Sequence, residues 1–183
     1  MRFVALAAIA LLAAACEKPA QNDEQAAANQ SGNASEVASA TVAAAPARPL
    51  AKDAALKLMH QRHEDMEKIG DATKAVRRTL QTESPDLAVI RASAATMTKM
   101  APLVPSWFPV GTSSDVGKTM AKPEIWQKPE DFAAKTRDFQ KAVLAFDAAA
   151  KAGDLTLIKA RFGDLGKTCK ACHDSYRNEH DKH

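Results

Sequence analysis

The chain has 183 residues, a formal net charge of +3 and a hydrophobic fraction of 46%, but only 5% of its residues are aromatic. This length favours one folded domain with an additional segment, and the apolar content is sufficient for a hydrophobic core. Basic residues do not cluster with aromatic ones, which argues against nucleic acid as a partner. Few glycines and few strand-like runs favour an all-α fold.

The N-terminus has the pattern of an export signal. An apolar run from Phe3 to Ala15 is too short to cross a membrane as a mature helix. The run resembles a bacterial lipoprotein signal, in which cleavage leaves the next residue, here Cys16, with a lipid, although Leu12 lies one residue further from the cysteine than is usual. Cleavage after one of the small residues 13–15 is the alternative, and it would leave a free thiol in an oxidising compartment. We predict a signal peptide over residues 1–15, a lipid on Cys16 and anchoring in the periplasm.

Residues 16–49 are predicted to form a tether that follows the lipidated cysteine. The segment from Glu17 to Pro49 is rich in Ala, Gln, Asn, Ser, Glu and Pro and has no apolar periodicity. A flexible chain of this length spans roughly 30 Å on average. That reach would let a domain swing above a membrane surface.

The folded domain is assigned to residues 50–183 and begins with two predicted helices. The first covers about residues 52–80, with an apolar side formed by Leu56, Met59, Met66, Ile69, Val76 and Leu80. The second starts at Ser84-Pro85-Asp86, where Ser84 is the expected cap and the proline occupies the first turn.

Two further helices follow a long connection over residues 102–129, in which prolines recur. The third begins at Pro129 and stops at Gly153, and Asp154 caps the fourth. The fourth has an apolar seam at alternating spacings of three and four, formed by Leu155, Ile158, Phe162, Leu165, Cys169, Cys172 and Tyr176. Short, capped junctions predict an antiparallel four-helix bundle.

The fourth helix carries Cys169-Lys170-Ala171-Cys172-His173, which has the C-x-x-C-H spacing of a c-type haem attachment site. Residues three apart share one face of a helix, so Cys169 and Cys172 can each add a thiol to a haem vinyl group. His173 then supplies one axial ligand to the iron. Both cysteines lie on the apolar seam, so one covalently bound haem c is predicted in the bundle core, near the C-terminus.

A C-x-x-C pair also occurs in thioredoxin-like redox sites and in zinc sites. A thioredoxin-like site needs a βαβ context, which this sequence lacks. A structural zinc site needs two more ligands at matching spacing, and His180 and His183 fall in a stretch that reads as a frayed tail. With two cysteines assigned to haem and Cys16 to lipid, no disulfide is predicted.

Several motifs resemble the cytochrome c′ family, the class II c-type cytochromes. They are the C-terminal stretch 148–177, which includes Phe162-Gly163-Asp164-Leu165-Gly166 and the C-x-x-C-H motif, and the loop motifs Val104-Pro105-Ser106-Trp107-Phe108-Pro109, Gly111-Thr112 and Lys122-Pro123-Glu124-Ile125-Trp126. The likeness covers about Lys52 to Tyr176. It implies a four-helix bundle with a covalent haem c close to the C-terminus.

The resemblance also implies how the second face of the iron is covered. The family has an arginine, a distal residue, a glycine and a proline at spacings that Arg62, Met66, Gly70 and Pro85 reproduce without a gap. The distal residue is typically Leu or Phe in the gas-binding, five-coordinate branch and an iron-binding Met in the low-spin branch. Met66 therefore resembles the low-spin branch and is the expected sixth ligand.

Other side chains of the first helix compete for this role. A methionine on an apolar helix face is usually a core residue, which is the alternative for Met66. His63, three residues earlier, is a stronger ligand, but such a histidine more often contacts a propionate or solvent. Met59 does not fit the family register, and His60 is expected to face water.

The resemblance implies further haem contacts. Arg62 lies one turn before Met66 and is expected to reach a haem propionate, and Arg177, one turn after His173, could do the same. A solvated surface charge is the alternative for each arginine. Thr119 and Ala121 lie where the family's loop approaches the haem edge.

These features predict a carrier of single electrons with His/Met-ligated haem rather than an enzyme, since no second carboxylate, nucleophile or base is arranged for catalysis. The alternative is a five-coordinate protein that binds or handles nitric oxide or another small gas, with Met66 as a steric gate. A lipoprotein without haem is a third possibility. Expected partners are redox proteins of a respiratory chain, the membrane and possibly a second copy through the first two helices.

Overall fold

The structure, a computed structural model, describes residues 50–179, which lie within one compact unit. The predicted signal peptide, the lipid site at Cys16, the tether over residues 16–49, and His180 and His183 lie outside the described residues. Within residues 50–179, none of the helices combines the length and apolar character that a membrane span requires.

The regular elements of the described residues are all helices, as predicted. Its elements are α1 (Lys52–Leu80), α2 (Leu87–Met100), a 3-10 helix (Ala101–Trp107), α3 (Glu124–Gln127), α4 (Pro129–Ala152) and α5 (Leu155–Tyr176). The four long helices are the predicted ones. The connection predicted over residues 102–129 is partly ordered, because it contains the 3-10 helix and the single turn of α3.

The start of α2 differs from the sequence prediction. Asp86, and not Ser84, is the cap: its carboxylate accepts hydrogen bonds from the amides of Ala88 and Val89 at 2.7 and 3.3 Å. Pro85 therefore precedes the helix instead of occupying its first turn. The physical reason is the position of Asp86, whose own amide donates to the hydroxyl of Thr79 at the end of α1.

The junction between α4 and α5 confirms the predicted stop and cap. Gly153 has a left-handed conformation with φ of 78°, and its amide donates to the carbonyl of Ala149 at 3.0 Å. Asp154 accepts from the amides of Thr156 and Leu157 at 2.9 and 3.1 Å. This tight turn makes α4 and α5 antiparallel neighbours.

The helices pack in the sequence α1–α2–α4–α5, because the extensive contacts are those of α1 with α2, α2 with α4 and α4 with α5. The main core occupies the end of the bundle where α1 finishes. Its buried members are Ala72, Val76, Ile90, Ala94, Met97, Ala101, Val143, Phe146, Ala149, Ala150, Ile158 and Leu165. Leu56, which was assigned to the apolar side of α1, is instead 38% exposed.

Two smaller clusters adjoin the main core or lie beyond it, and Phe139 packs against both the main core and the first of them. The Trp107 cluster consists of Ile69, Val104 and Trp107, with Met66, Met100, Phe108 and Phe139 packed against it. The Tyr176 cluster consists of Ile125, Phe132 and Tyr176, with Phe108, Ala121, Trp126 and Cys172 packed against it. Thus α1 contributes Met66 to one cluster and α5 contributes Cys172 to the other, and Phe108 contacts both.

Candidate haem site

The C-x-x-C-H motif lies on the last turns of α5, as predicted. Cys169 and Cys172 are free, partly buried thiols. Cys169 packs against the main core, whereas Cys172 packs against the Tyr176 cluster. The two thiols therefore line the inner side of α5 at adjacent turns, which suits attachment to one planar group.

The protein environment disfavours charge on all three residues of the motif. Burial raises the pKa of the Cys169 thiol, and burial followed by repulsion from Cys169 raises the pKa of Cys172. His173 is exposed as a residue, but partial desolvation of its ring and the nearby charge of Arg177 lower its pKa. A neutral imidazole retains the lone pair that an axial ligand must donate.

Arg62 is buried in α1 and holds the loop that follows the 3-10 helix. Only 4% of it is exposed. Its guanidinium donates to the carbonyl of Trp107 at 3.3 Å, to the hydroxyl and carbonyl of Thr112 at 3.2 and 3.0 Å, and to the hydroxyl of Thr119 at 2.8 Å. It also lies 4.8 Å from the centre of the Phe108 ring. The sequence analysis did not predict this clamp.

The charge of Arg62 lacks a partner of opposite sign in the described part of the chain, where its acceptors are neutral oxygens. Burial lowers the pKa of Arg62 to about 10. A buried cation is costly unless an anion or several hydrogen bonds compensate it. The residues present therefore fit a group with acidic substituents, such as the propionates of haem, and contact between Arg62 and a propionate stays a prediction.

The other candidates on α1 separate into buried and exposed side chains. Met66 is partly buried and packs against the Trp107 cluster. Met59 is buried, and its methyl group lies 3.4 Å from the position that a Cβ on Gly117 would occupy. His60 and His63 are exposed, and each lies beside a glutamate one turn later, at 3.2 Å from Glu64 and 3.5 Å from Glu67 respectively.

The remaining predicted haem contacts are held together at the end of α5. Ala121 forms an isolated antiparallel bridge with Arg177. The amide of Lys122 donates to the carbonyl of Tyr176 at 2.9 Å, and the amide of Asn178 donates to the carbonyl of Met120 at 2.8 Å. The hydroxyl of Thr119 accepts from the amide of Ala121 at 3.1 Å. The loop that contains Thr119 and Ala121 therefore lies beside the C-terminal end of α5, the helix that carries the C-x-x-C-H motif.

Sequence reasoning missed the partner of Tyr176. Its hydroxyl donates to a carboxylate oxygen of Asp131 on the first turn of α4. Burial, followed by this hydrogen bond, raises the pKa of Tyr176 to about 12. The apolar seam of α5 predicted the burial of the ring, but 45 residues separate the two partners and no motif joins them.

The comparison with protein families agrees with this arrangement. The sequence profile of the family described as Cytochrome C' matches residues 57–177. The chain belongs to the cytochrome c′ family. Its cofactor is accordingly one covalently attached haem c, and its fold is the family's antiparallel four-helix bundle.

Relatives of known name support the assignment. A cytochrome c' of Alcaligenes xylosoxydans xylosoxydans is 39% identical over 94 residues, which cover 51% of this chain and 71% of the relative. A cytochrome c-554 of Cereibacter sphaeroides is 38% identical over 78 residues, which cover 42% of this chain and 58% of that relative. The alignment thus spans less than two thirds of the second protein.

Solved structures have the same fold. Cytochrome c' from Thermochromatium tepidum is 29% identical to this chain with a TM-score of 0.64. The match covers 72% of this chain and 100% of the Thermochromatium chain. A nitric oxide complex of a mutant cytochrome c prime from Alcaligenes xylosoxidans is 31% identical with a TM-score of 0.62, again covering 72% and 100%. The family is thus shown, and the chain is a c-type haem cytochrome.

Proposed function

We propose that this cytochrome binds a small gas, with nitric oxide as the leading ligand, on the side of the haem that faces α1. The solved nitric oxide complexes of a relative with 30–31% identity support this function. They favour the gas-binding alternative of the sequence analysis over its first expectation, an electron carrier. In this proposal Met66 is a gate over the binding position.

The chain's own residues have distinct roles in such a site. Bound haem supplies an iron that can take a small ligand or exchange one electron. Cys169 and Cys172 hold the group to α5, and the neutral ring of His173 supplies a ligand from that helix. Arg62 compensates acidic substituents, while Met66 limits access from α1 through a flexible, apolar side chain.

The observation that carries the proposal is the separation of α1 from the motif end of α5. Met66 belongs to the Trp107 cluster and Cys172 to the Tyr176 cluster, whereas the residues by which α1 joins the main core, Ala72, Val76 and Leu80, lie further along that helix. A flat cofactor attached to α5 would lie between these two clusters. Met66 would then border one of its faces.

A specific observation keeps electron transfer as the second candidate. Met66 is a thioether at the family's distal position, and His/Met ligation suits a one-electron carrier with a raised potential. Its side chain is only partly buried, so it retains freedom to turn towards a metal. The two functions differ in whether Met66 binds the haem iron when no gas ligand is present.

Optical spectra of the haem-loaded protein distinguish them. For gas binding we expect a high-spin spectrum that shifts on addition of carbon monoxide or nitric oxide and that Met66→Leu barely changes. For electron transfer we expect a low-spin spectrum without response to carbon monoxide, which Met66→Leu makes high-spin. Met100→Leu is the matched control, because Met100 packs against the same Trp107 cluster from α2.

We also propose a periplasmic location with a lipid on Cys16, and a homodimer that forms through α1 and α2. A relative 27% identical to this chain is described as a cytochrome c' with an unusual ligand-controlled dimer dissociation. Fractionation of cells that express the full chain should find it with membranes, and Cys16→Ser should release it. Gel filtration with and without nitric oxide tests the dimer.

Respiratory redox proteins stay the proposed partners for the second candidate function, electron transfer. Pull-down from membranes followed by haem reduction assays would test them.

A further inference from the structure

Tyr176 and Asp131 form a hydrogen-bonded pair that neither proposed function uses. Tyr176 is 3% exposed, and its hydroxyl donates to Oδ2 of Asp131. The Asp131 side chain is 54% exposed. The pair therefore joins a buried phenol to a carboxylate that is accessible to water.

The surroundings of the phenol are apolar. The ring of Phe132 lies edge-on, with its centre 5.2 Å from that of Tyr176, and the ring of Phe108 lies 5.1 Å further on. Ile125 completes the buried part of this cluster. The charged groups near the pair are Lys135, with its ammonium 3.9 Å from Oδ2 of Asp131, and Glu124. Asp131 is the group positioned to accept the proton of the phenol.

The pair lies beside the predicted attachment site. Cys172 precedes Tyr176 by one turn of α5 and packs against the Tyr176 cluster. The C-x-x-C-H motif assigns one haem thioether bond to Cys172. The phenol thus packs beside the side chain to which the motif assigns that bond.

We propose that Tyr176 is a one-electron donor that intercepts oxidants of the hydroperoxide class before they damage the site. Homolysis of the O–O bond of a hydroperoxide gives oxygen-centred radicals, and one such radical takes one electron from the phenol and becomes a hydroxide or alkoxide ion, which water protonates. The O–H bond of Tyr176 breaks, and its proton forms a bond to Oδ2 of Asp131. The products are a neutral tyrosyl radical, a protonated Asp131 and the oxidant reduced by one electron.

The existing hydrogen bond makes this step feasible in an apolar cluster. Loss of an electron alone would leave a cationic phenol without solvation, which burial disfavours strongly. Moving the proton to Asp131 in the same step leaves both groups neutral. The exposed carboxyl then releases the proton to water, so the pair does not accumulate charge.

The composition of the chain allows a sharp test. Tyr176 is the only tyrosine among the 183 residues, so growth on ring-deuterated tyrosine labels this side chain alone. The haem-loaded protein is mixed with hydrogen peroxide, frozen within milliseconds and examined by electron paramagnetic resonance. We expect an organic radical whose hyperfine structure narrows with the label and which is lost in Tyr176→Phe.

Two variants test the role of the carboxylate. Asp131→Asn keeps the shape but removes the base, and we expect the radical yield to fall at least about tenfold. Glu130→Gln removes the neighbouring exposed acid of the same helix turn and should leave the yield unchanged. An equal yield in Asp131→Asn would show that the pair only fastens α5 to α4, and would overturn the proposal.

A second oxidant makes the outcome independent of the reactivity of peroxide at the haem. The same samples are oxidised by a flash-quenched ruthenium tris-bipyridine complex, which is a one-electron acceptor. A label-sensitive tyrosyl radical with peroxide supports the proposal, whereas a radical with the ruthenium oxidant alone would overturn the assignment of hydroperoxides as its oxidants. Absence of a label-sensitive radical with both oxidants, or a radical that persists in Tyr176→Phe, would overturn it.

Discussion

At the scale of single residues, a buried tyrosine bonded to a carboxylate resists deprotonation. The pKa of Tyr176 is raised from 10.0 to about 12 by burial and by Asp131. The folded protein therefore keeps this proton over a pH range in which the unfolded chain has lost it. The stabilisation is complete below pH 10 and decreases as the pH rises towards 12.

This shift predicts a difference between the natural protein and Tyr176→Phe at high pH. Between pH 10 and 12 the natural protein should lose stability relative to the variant, by on the order of 1–2 kcal/mol, since solvent near Asp131 screens part of the effect. Denaturant unfolding at several pH values measures the difference. A constant gap between the two proteins over this range would contradict the shift, because titration of the lysines is common to both.

At the scale of elements, the start of α2 depends on one carboxylate. The side chain of Asp86 bonds to two amides of the first turn, and its backbone amide bonds to Thr79 on α1. Asp86→Ala should therefore destabilise the protein by about 1 kcal/mol. Ser84→Ala, two residues earlier, should change stability by less than about 0.5 kcal/mol.

Thermal or denaturant unfolding of the two variants provides the measurement. Asp154→Ala is the matched control, since Asp154 caps α5 with the same pair of hydrogen bonds. A loss of stability in Ser84→Ala that equals the loss in Asp86→Ala would mean that the helix starts earlier than Leu87.

These helix ends show what local chemistry can predict. Gly153 and Asp154 were identified from the sequence because a left-handed glycine and a following cap form one compact signal. The loop between α1 and α2 instead offers three residues with capping side chains, Thr82, Ser84 and Asp86. The contact with Thr79 decides between them, and a contact between two elements is invisible to a local pattern.

At the scale of the whole molecule, the division of the core predicts how the protein responds to loss of haem. The main core joins all four long helices at one end, while the other end contains two separate clusters. Without haem between these clusters, the first half of α1 and the last turns of α5 lose packing. The opposite halves of the same helices keep theirs.

Hydrogen exchange of the double variant Cys169→Ser/Cys172→Ser, which cannot attach haem, tests this expectation. Amides of residues 55–66 and 169–176 should exchange at least about tenfold faster than in the haem-loaded protein, while residues 72–80 and 155–165 should change less. Uniform acceleration along α1 would contradict the division. Lys170→Ala, a variant between the two cysteines that retains both thiols, serves as the control.

The two sides of the haem site differ in how far the sequence alone could predict them. The C-x-x-C-H motif and the seam of α5 are contiguous, so the covalent haem c of the family was predictable from local spacing. Arg62 was recognised only as a possible haem contact. Its bonds to Thr112 and Thr119 depend on how the loop folds back over α1, and the motifs that contain these threonines did not identify Arg62 as their partner.

The clamp made by Arg62 also has a consequence for the order of events in folding. Its acceptors lie 45 to 57 residues further along the chain, so the clamp closes a long loop. The chain must lose the conformational entropy of that loop before any of these hydrogen bonds forms. Helix pairs joined by short turns, such as α4 and α5, need no such closure. We therefore expect the clamp to form after the rate-limiting barrier, so that Arg62→Lys accelerates unfolding and leaves the refolding rate nearly unchanged. Arg62 would then set how long the folded cytochrome lasts more than how fast it is made.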